Sequence, residues 1–289
     1  NQEALDLALM AYAVAEAPAV PTPFMVTLDG FALTHTYETV DVPVEEDADA
    51  FLPPYQATNC FDFEHPKNIG YSAGPDHNRY FKYYEHRDML GAFEAIDRVE
   101  ARFAECFGRA YTGPVEAVSC DDAEAVLVTL GSIAGLARES VARLREQGKR
   151  VGLLRIRYMR PFPAKLIAEA LAGVAAVGVL EKDISFGAEG TVFTNVNSAL
   201  QQAGCTTPTF NFIGGLGGDD ITSAQMGAMF DALLDSVGER GRDDAAAGRS
   251  CDDASTGQGA GLGRVSFLGI DFPDASLPAC GDDCEEGAR

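Results

Sequence analysis

From Glu116 to Val237 the sequence alternates between short apolar runs and amphipathic stretches, a pattern that few architectures accommodate. Ala125-Val-Leu-Val-Thr-Leu130, Val151-Gly-Leu-Leu-Arg-Ile156, Ala175–Leu180 and Phe210–Ile213 lack the polar alternation of a half-exposed strand. Such runs predict strands buried on both faces. Between the first two, Ile133, Leu136, Ala137, Val141 and Leu144 form one helix face. Arg138, Glu139, Arg143, Arg145 and Glu146 form the opposite face. Ser132 is the expected N-cap and Gly148 the left-handed stop. Pro161-Phe-Pro163 starts a helix over Ala164–Leu171, and another is expected over Thr191–Gln202. The last begins at Thr222-Ser-Ala-Gln225, a capping box in which hydroxyl and amide satisfy each other's free backbone donors. Buried strands followed by covering helices predict an α/β fold, a parallel sheet with right-handed crossovers.

The sequence before this region is less regular. Leu5, Leu9, Tyr12 and Ala13 set a helical spacing within Glu3–Glu16, ended by Pro18, Pro21 and Pro23. Phe24–Leu28 reads as a short strand running into an Asp29-Gly30 turn. Residues 41–78, with five prolines and polar filler, read as an irregular connector. A long helix is expected over Arg79–Phe107, where Phe81, Met89, Phe93, Ile96 and Phe103 recur near 3.6 residues. After Val237 the composition turns to Gly, Asp, Ala and Ser, so Gly241–Gly263 is expected not to order itself. Arg264–Ile270 regains strand character and is expected at a sheet edge, and Asp274–Arg289 reads as a disordered tail.

At 289 residues, the chain suits one large domain or two modest ones. Its 22 basic and 44 acidic residues give a formal charge of −22. A surface of that sign repels phosphate backbones and anionic lipid, so neither a nucleic acid nor a membrane is an expected partner. No apolar run approaches the roughly 18–20 residues of a spanning helix, and no signal-like segment opens the chain. The seven scattered cysteines suit reduced thiols and a cytoplasmic location better than a disulfide framework. Cys280 and Cys284, the one close pair, have no neighbouring His, and no run of spaced cysteines marks an iron–sulfur cluster. The start at Asn1, already helical, reads as a beginning inside a domain.

Several segments invite a chemical reading. Asn211-Phe-Ile-Gly-Gly-Leu-Gly-Gly-Asp-Asp220 could cradle a phosphate at a helix N-terminus. Asp219 and Asp220 put negative charge where the phosphate would sit, and no Walker lysine is present, which favours a tight turn or interface loop. Glu181-Lys-Asp-Ile-Ser-Phe-Gly-Ala-Glu-Gly190 lies where a parallel strand ends and a helix begins, the usual place for ligands in open α/β sheets. A ligand or subunit contact and a plain connection, with Glu181, Lys182 and Asp183 as a solvated ion cluster, both remain open. Thr34, His35 and Glu38 bring an imidazole near a hydroxyl and a carboxylate. Without a nucleophile elbow or metal-ligand spacing, a hydrogen-bonding loop His is favoured there. His65, His77 and His86 lack ligand spacing too, and no catalytic residue is assigned.

Taken in order, Leu28–Glu38, Phe51–Tyr55, Arg160–Pro163, Leu180–Gly190 and Asn211–Thr222 resemble the α subunit of pyruvate:ferredoxin (flavodoxin) oxidoreductase, or pyruvate synthase, over residues 1 to about 237. The resemblance implies that residues 1–55 end a thiamine-diphosphate pyrimidine-binding domain. It makes 56–115 a connector with the long helix and 116–237 a transketolase C-terminal-like domain. Residues 238–263 are then a disordered linker, and 264–289 a short strand and acidic tail. The implied reaction converts pyruvate and coenzyme A to acetyl-CoA and carbon dioxide, with reduction of ferredoxin or flavodoxin. Thiamine diphosphate with Mg belongs to the full complex, iron–sulfur clusters to partner subunits, and none to this chain alone. The implied partners are a β subunit and ferredoxin-like (γ) subunits. Thr34, His35 and Glu38, with Asp183, Ser185, Phe186, Gly187 and Gly190, are then expected on loops facing the active site or another subunit. A 2-oxoisovalerate-type enzyme, a transketolase-like or 2-oxoacid dehydrogenase component, and a non-catalytic assembly subunit are the competing readings.

Overall fold

The computed structural model describes residues 1–20, 22–30, 32–57, 60–246 and 265–268. Its first half is helical: α1 (Gln2–Ala15), a single turn α2 (Ala32–His35), α3 (Glu45–Phe51) and the long α4 (Pro75–Phe107). Three expectations change here. Phe24–Leu28 is not a strand; it pairs with no ladder among the described residues. An apolar run becomes a strand only where a neighbouring edge offers free N–H and C=O groups. The connector 41–78 contains α3, whose Glu45, Glu46 and Asp47 complement the positive end of the helix. Finally, α4 starts at Pro75 rather than Arg79, with the proline in the first turn where its missing N–H costs nothing.

The second half alternates β1 (Val115–Val118), β2 (Ala125–Leu130), α5 (Ile133–Glu146), β3 (Val151–Ile156), α6 (Ala164–Ala170), β4 (Ala176–Glu181), α7 (Thr191–Gln202) and β5 (Thr209–Ile213). A 3-10 turn at Leu216–Gly218, α8 (Ser223–Ala246) and β6 (Val265–Phe267) complete the described chain. The six strands lie in the order β1-β3-β2-β4-β5-β6. Five are mutually parallel, with Ala125 opposite Val151 and Ala176, Val177 opposite Thr209, and Asn211 opposite Val265. β6 covers the β5 edge, where the sequence placed a returning strand. β1 corrects the all-parallel expectation: it runs antiparallel to β3, with Val115 opposite Ile156. A four-residue, half-buried edge strand carries too little hydrophobic pattern to stand out. α8 continues past Val237 to Ala246, because residues added to an existing helix need no new nucleus. The rest of the Gly-rich segment, the acidic tail and Cys280 and Cys284 lie outside the described residues.

Alternation along the strands fills two cores. Val126, Val128, Val177 and Val179 face α6 and α7, packing on Ile167, Phe193, Val196 and Leu200. Leu127, Leu153, Leu180 and Phe212 face α5 and α8, packing on Val141, Met226, Phe230 and Leu233. Both faces of the sheet are covered, which explains the unbroken apolar runs.

A third core joins the first half to the sheet. Met10 and Val14 of α1, Phe51 of α3 and Ile96, Val99 and Phe103 of α4 close over Tyr158, which follows β3. Phe51 and Phe103 meet edge-to-face at 5.4 Å. Charged groups surround this core. Arg157, 1% exposed, donates to Glu3 at 2.9 Å and Glu100 at 2.7 Å. Arg155 donates to the same Glu3 at 2.6 Å. Buried Asp6 accepts from Arg109 at 2.7 Å and from the Tyr111 hydroxyl at 2.6 Å. Burial pushes the Glu3 and Asp6 carboxyls up, but the hydrogen bonds from Arg155 and Arg157, and from Arg109, Tyr111 and Gln2, together outweigh it. Both carboxyls end below their ordinary values. These bonds fix α1 and α4 to the sheet by groups that are costly to leave unpaired.

Candidate functional site

In the strand order, β2 connects to β3 on one side and β3 crosses to β4 on the other, so the order of connections, not the strand direction, reverses between β2 and β4. Ligands in open α/β sheets bind outside the carboxyl ends of strands at such a reversal. Here an earlier part of the same chain reaches that place. The Asp29 carboxylate accepts the backbone N–H of Ser132 at 2.8 Å and also its hydroxyl, just past β2. Ser132 does occupy the N-cap position of α5, but its side chain makes no capping bond. Asp29 stabilises the helix start from outside instead, as the macrodipole favours.

Beyond Asp29, the chain meets the ends of β4 and β5. Gly30, His35 and Thr36 line a cavity of about 310 Å³ together with Lys182, Gly218, Asp219 and Asp220. The structure thus gathers His35 with two segments singled out from sequence, though at Lys182 and Asp219–Asp220 rather than at the 183–190 loop. The predicted trio divides: Thr34 Oγ1 lies 3.1 Å from His35 Nδ1, whereas Glu38 is not among the residues lining the cavity. Among the other histidines, His65 pairs with Asp62 at 3.0 Å and His77 meets the Tyr71 ring. A larger cavity, about 780 Å³, lies between α1, α4 and residues 52–56 and involves none of the candidate residues.

The segment after β4 is built differently from a solvated ion cluster. Glu181, 4% exposed, accepts the backbone N–H groups of Val192 at 2.7 Å and Phe193 at 3.1 Å. Asn211 Nδ2 donates to the same carboxylate at 2.9 Å, and Asn211 Oδ1 accepts the Gly190 N–H at 2.8 Å. Glu181 therefore caps α7 across the fold. Burial pushes its carboxyl up, despite the donors from Val192, Phe193 and Asn211. Any Cβ at position 190 would collide with the Glu181 carboxylate, so the approach of loop to cap requires glycine. Asp183 accepts the Thr191 hydroxyl at 2.8 Å. Between these fixed ends the loop turns tightly, Ser185 N–H donating to the Glu189 carbonyl at 3.2 Å and Ala188 N–H to the Ser185 carbonyl at 2.8 Å. Gly187 sits at φ +81 and Phe186 stands 94% exposed at the tip.

The glycine-rich segment after β5 is a tight turn with positive φ at Gly215, Gly217 and Gly218. It ends in the expected capping box: Thr222 N–H donates to Gln225 Oε1 at 2.8 Å and Gln225 N–H to Thr222 Oγ1 at 3.2 Å. Lys182 runs alongside Gly215. Its ammonium is the one full cation among the residues lining the smaller cavity, and two carboxylates oppose it. That donor set does not fit a diphosphate. Among the described residues no cluster of three His, Cys, Asp or Glu side chains is placed to hold a metal, and no helix is long and apolar enough to cross a membrane. Asp29 and Asn211 were not singled out individually from sequence. Asn211 had a signal, a polar residue inside a run that should be buried; Asp29 read only as a turn.

Comparison with known proteins follows the same two halves. The family model "Pyruvate flavodoxin/ferredoxin oxidoreductase, thiamine diP-bdg" matches residues 1–101. "Pyruvate:ferredoxin oxidoreductase core domain II" matches residues 123–226. Pyruvate synthase subunit PorA of Methanothermobacter thermautotrophicus is 42% identical over 226 residues, 78% of this chain and 58% of that protein. Ketoisovalerate oxidoreductase subunit VorA of Pyrococcus abyssi is 39% identical over 230 residues, 79% of this chain and 58% of that protein. The chain thus spans under three-fifths of the length of these relatives. A solved 2-oxoglutarate:ferredoxin oxidoreductase from Magnetococcus marinus aligns with 66% of this chain and 30% of its own, at 18% identity and a TM-score of 0.40.

Proposed function

The chain belongs to the pyruvate:ferredoxin oxidoreductase family, and from that premise we propose that it is part of the α subunit of a pyruvate synthase. The proposed enzyme converts pyruvate and coenzyme A to acetyl-CoA and carbon dioxide in the cytoplasm, reducing ferredoxin or flavodoxin. The observation that carries this reading is the order of the two family models along one chain, thiamine-binding and then core domain II. Under it, residues 1–55 end a pyrimidine-binding domain and 116–237 form a transketolase C-terminal-like domain, with α4 between them.

Thiamine diphosphate supplies the carbanion chemistry of such an enzyme. Asp219 and Asp220 beside Lys182 do not fit its charged end, so the diphosphate, its Mg and the iron–sulfur clusters are assigned to other parts of the complex. This chain's own residues shape and assemble. Thr34, His35 and Glu38, near Asp29, and the loop Asp183–Gly190, fixed by Glu181 and Asn211, face the active site or a neighbouring subunit.

Reconstitution tests the reading. Viologen reduction driven by pyruvate is expected only when this chain is combined with its β and ferredoxin-like subunits. Turnover by the isolated chain would contradict it. The VorA relatives support a second reading, a ketoisovalerate-type enzyme, and a preference of the reconstituted complex for 2-oxoisovalerate over pyruvate selects it.

A further inference from the structure

The glycine-rich turn after β5 has no core of its own: every residue from Leu216 to Asp220 is exposed. Yet this turn carries Gly218, Asp219 and Asp220, three of the seven residues lining the smaller cavity. Glycines lose more conformational freedom on ordering than any other residue, and adjacent carboxylates repel each other. The turn therefore needs a hold from outside. Gly214 N–H donates to the Glu181 carbonyl at 3.1 Å and Asp219 N–H to the Leu216 carbonyl at 3.2 Å. Neither bond fixes the turn from the side of the sheet away from β4.

That hold comes from the last residues of the described chain. β6 lies on β5 with Phe267 opposite Ile213, and Leu268 N–H extends the ladder to the Ile213 carbonyl at 2.8 Å. The half-buried Leu268 side chain joins the core under α5 and α8, as do Phe210 and Ile221. It sits directly on Gly214, where a Cβ would lie 2.6 Å from Leu268 Cδ1. One residue on, the Lys182 stem lies along Gly215, where a Cβ would meet its carbons at 3.1–3.3 Å. Leu268 on one glycine and Lys182 on the next fix how the turn leaves the sheet. Leu268 itself does not line the cavity. We propose that Leu268 is a positioning residue for that cavity: by packing on Gly214 it holds Gly218, Asp219 and Asp220 in place beside His35 and Lys182. The inference is independent of the reaction catalysed.

Nuclear magnetic resonance of the full chain tests it, because the chain has four histidines and His35 is the one that lines the cavity. Leu268→Ala is expected to shift the His35 ring signal, assigned with His35→Gln, and to leave those of His65, His77 and His86 in place. Amide hydrogen exchange over residues 214–219 is expected to quicken by about tenfold or more, with β2 and β3 unchanged. Leu268→Met still fills the space and is expected to keep both readouts as in the wild type. Gly214→Ala is expected to act like Leu268→Ala, because its methyl displaces the leucine. Added to Leu268→Ala, it is expected to change nothing further. A His35 signal that stays in place in Leu268→Ala overturns the proposal. So does faster exchange spread evenly over the sheet, which would make Leu268 a residue of general stability, or a Gly214→Ala effect undiminished in the double variant.

Discussion

Asn211 on β5 and Glu181 at the end of β4 are buried neighbours, amide to carboxylate at 2.9 Å, and between them they accept three backbone N–H groups at the start of α7. Glu181→Leu or Asn211→Leu strands those donors away from water. Each is expected to lower unfolding stability by about 1–3 kcal/mol. Because the two side chains share one network, the double variant is expected to lose less than the sum. Denaturant titration of the four proteins reads both outcomes, and strict additivity would show that the two side chains act separately.

The acid response follows from three carboxyls. Glu3 and Asp6 are held below their ordinary values of 4.5 and 3.8, so their stabilising effect is complete above those values and is lost as pH falls through the depressed ones. Glu181, raised from 4.5, runs the other way: its contribution is present at low pH and is lost as pH rises from 4.5 through its folded value. Glu3→Gln with Asp6→Asn is expected to lower stability near neutrality and to flatten the fall below about pH 4. Glu181→Gln is expected to remove the opposing slope. Unfolding midpoints measured from about pH 3 to about pH 7 distinguish the two effects.

Gly187→Val places a β-branched residue at φ +81, a strain of roughly 1–2 kcal/mol confined to an exposed loop. The chain is expected to fold, while subunit assembly or viologen reduction in the reconstituted complex falls. Phe186→Ser, which relieves no strain and buries nothing, is expected to act in the same direction. Normal assembly and turnover in both variants would remove the 183–190 loop from any interface.

Thiol chemistry divides by burial. Cys60 and Cys106 are exposed, whereas burial pushes the Cys120 thiol up to about 11. Alkylation at about pH 8 with peptide mapping is expected to find Cys120 slower than either exposed cysteine by about a hundredfold or more. Comparable rates would show that the β1–β3 edge, where the Cys120 thiol meets the Val118 and Leu153 carbonyls, opens readily.

Sequence reached the sheet because its strands are buried on both faces, leaving runs such as Val151–Ile156 that no surface element resembles. It reached the capping box at Thr222 and Gln225 because that signal is local. It missed what depends on distant partners. Phe24–Leu28 has the residues of a strand and no edge to join. Glu181 reads as one charge among three until the fold brings it under the first turn of α7, and Asp29 reads as a turn until it meets Ser132, 103 residues away. Of the residues lining the smaller cavity, His35 alone is a candidate read from sequence; Lys182, Asp219 and Asp220 lie in segments that sequence reads as an ion cluster and a tight turn. That these share one cavity is set by strand order, which no spacing along the chain encodes.

Strand β6 has a consequence for synthesis. The margin of β5 that Val265–Phe267 protects is complete at Ile213, about fifty residues before its cover leaves the ribosome. At roughly 5–20 residues per second, a nascent molecule carries that bare ladder for several seconds, an interval in which a neighbouring chain on the same messenger has its best opportunity to pair there.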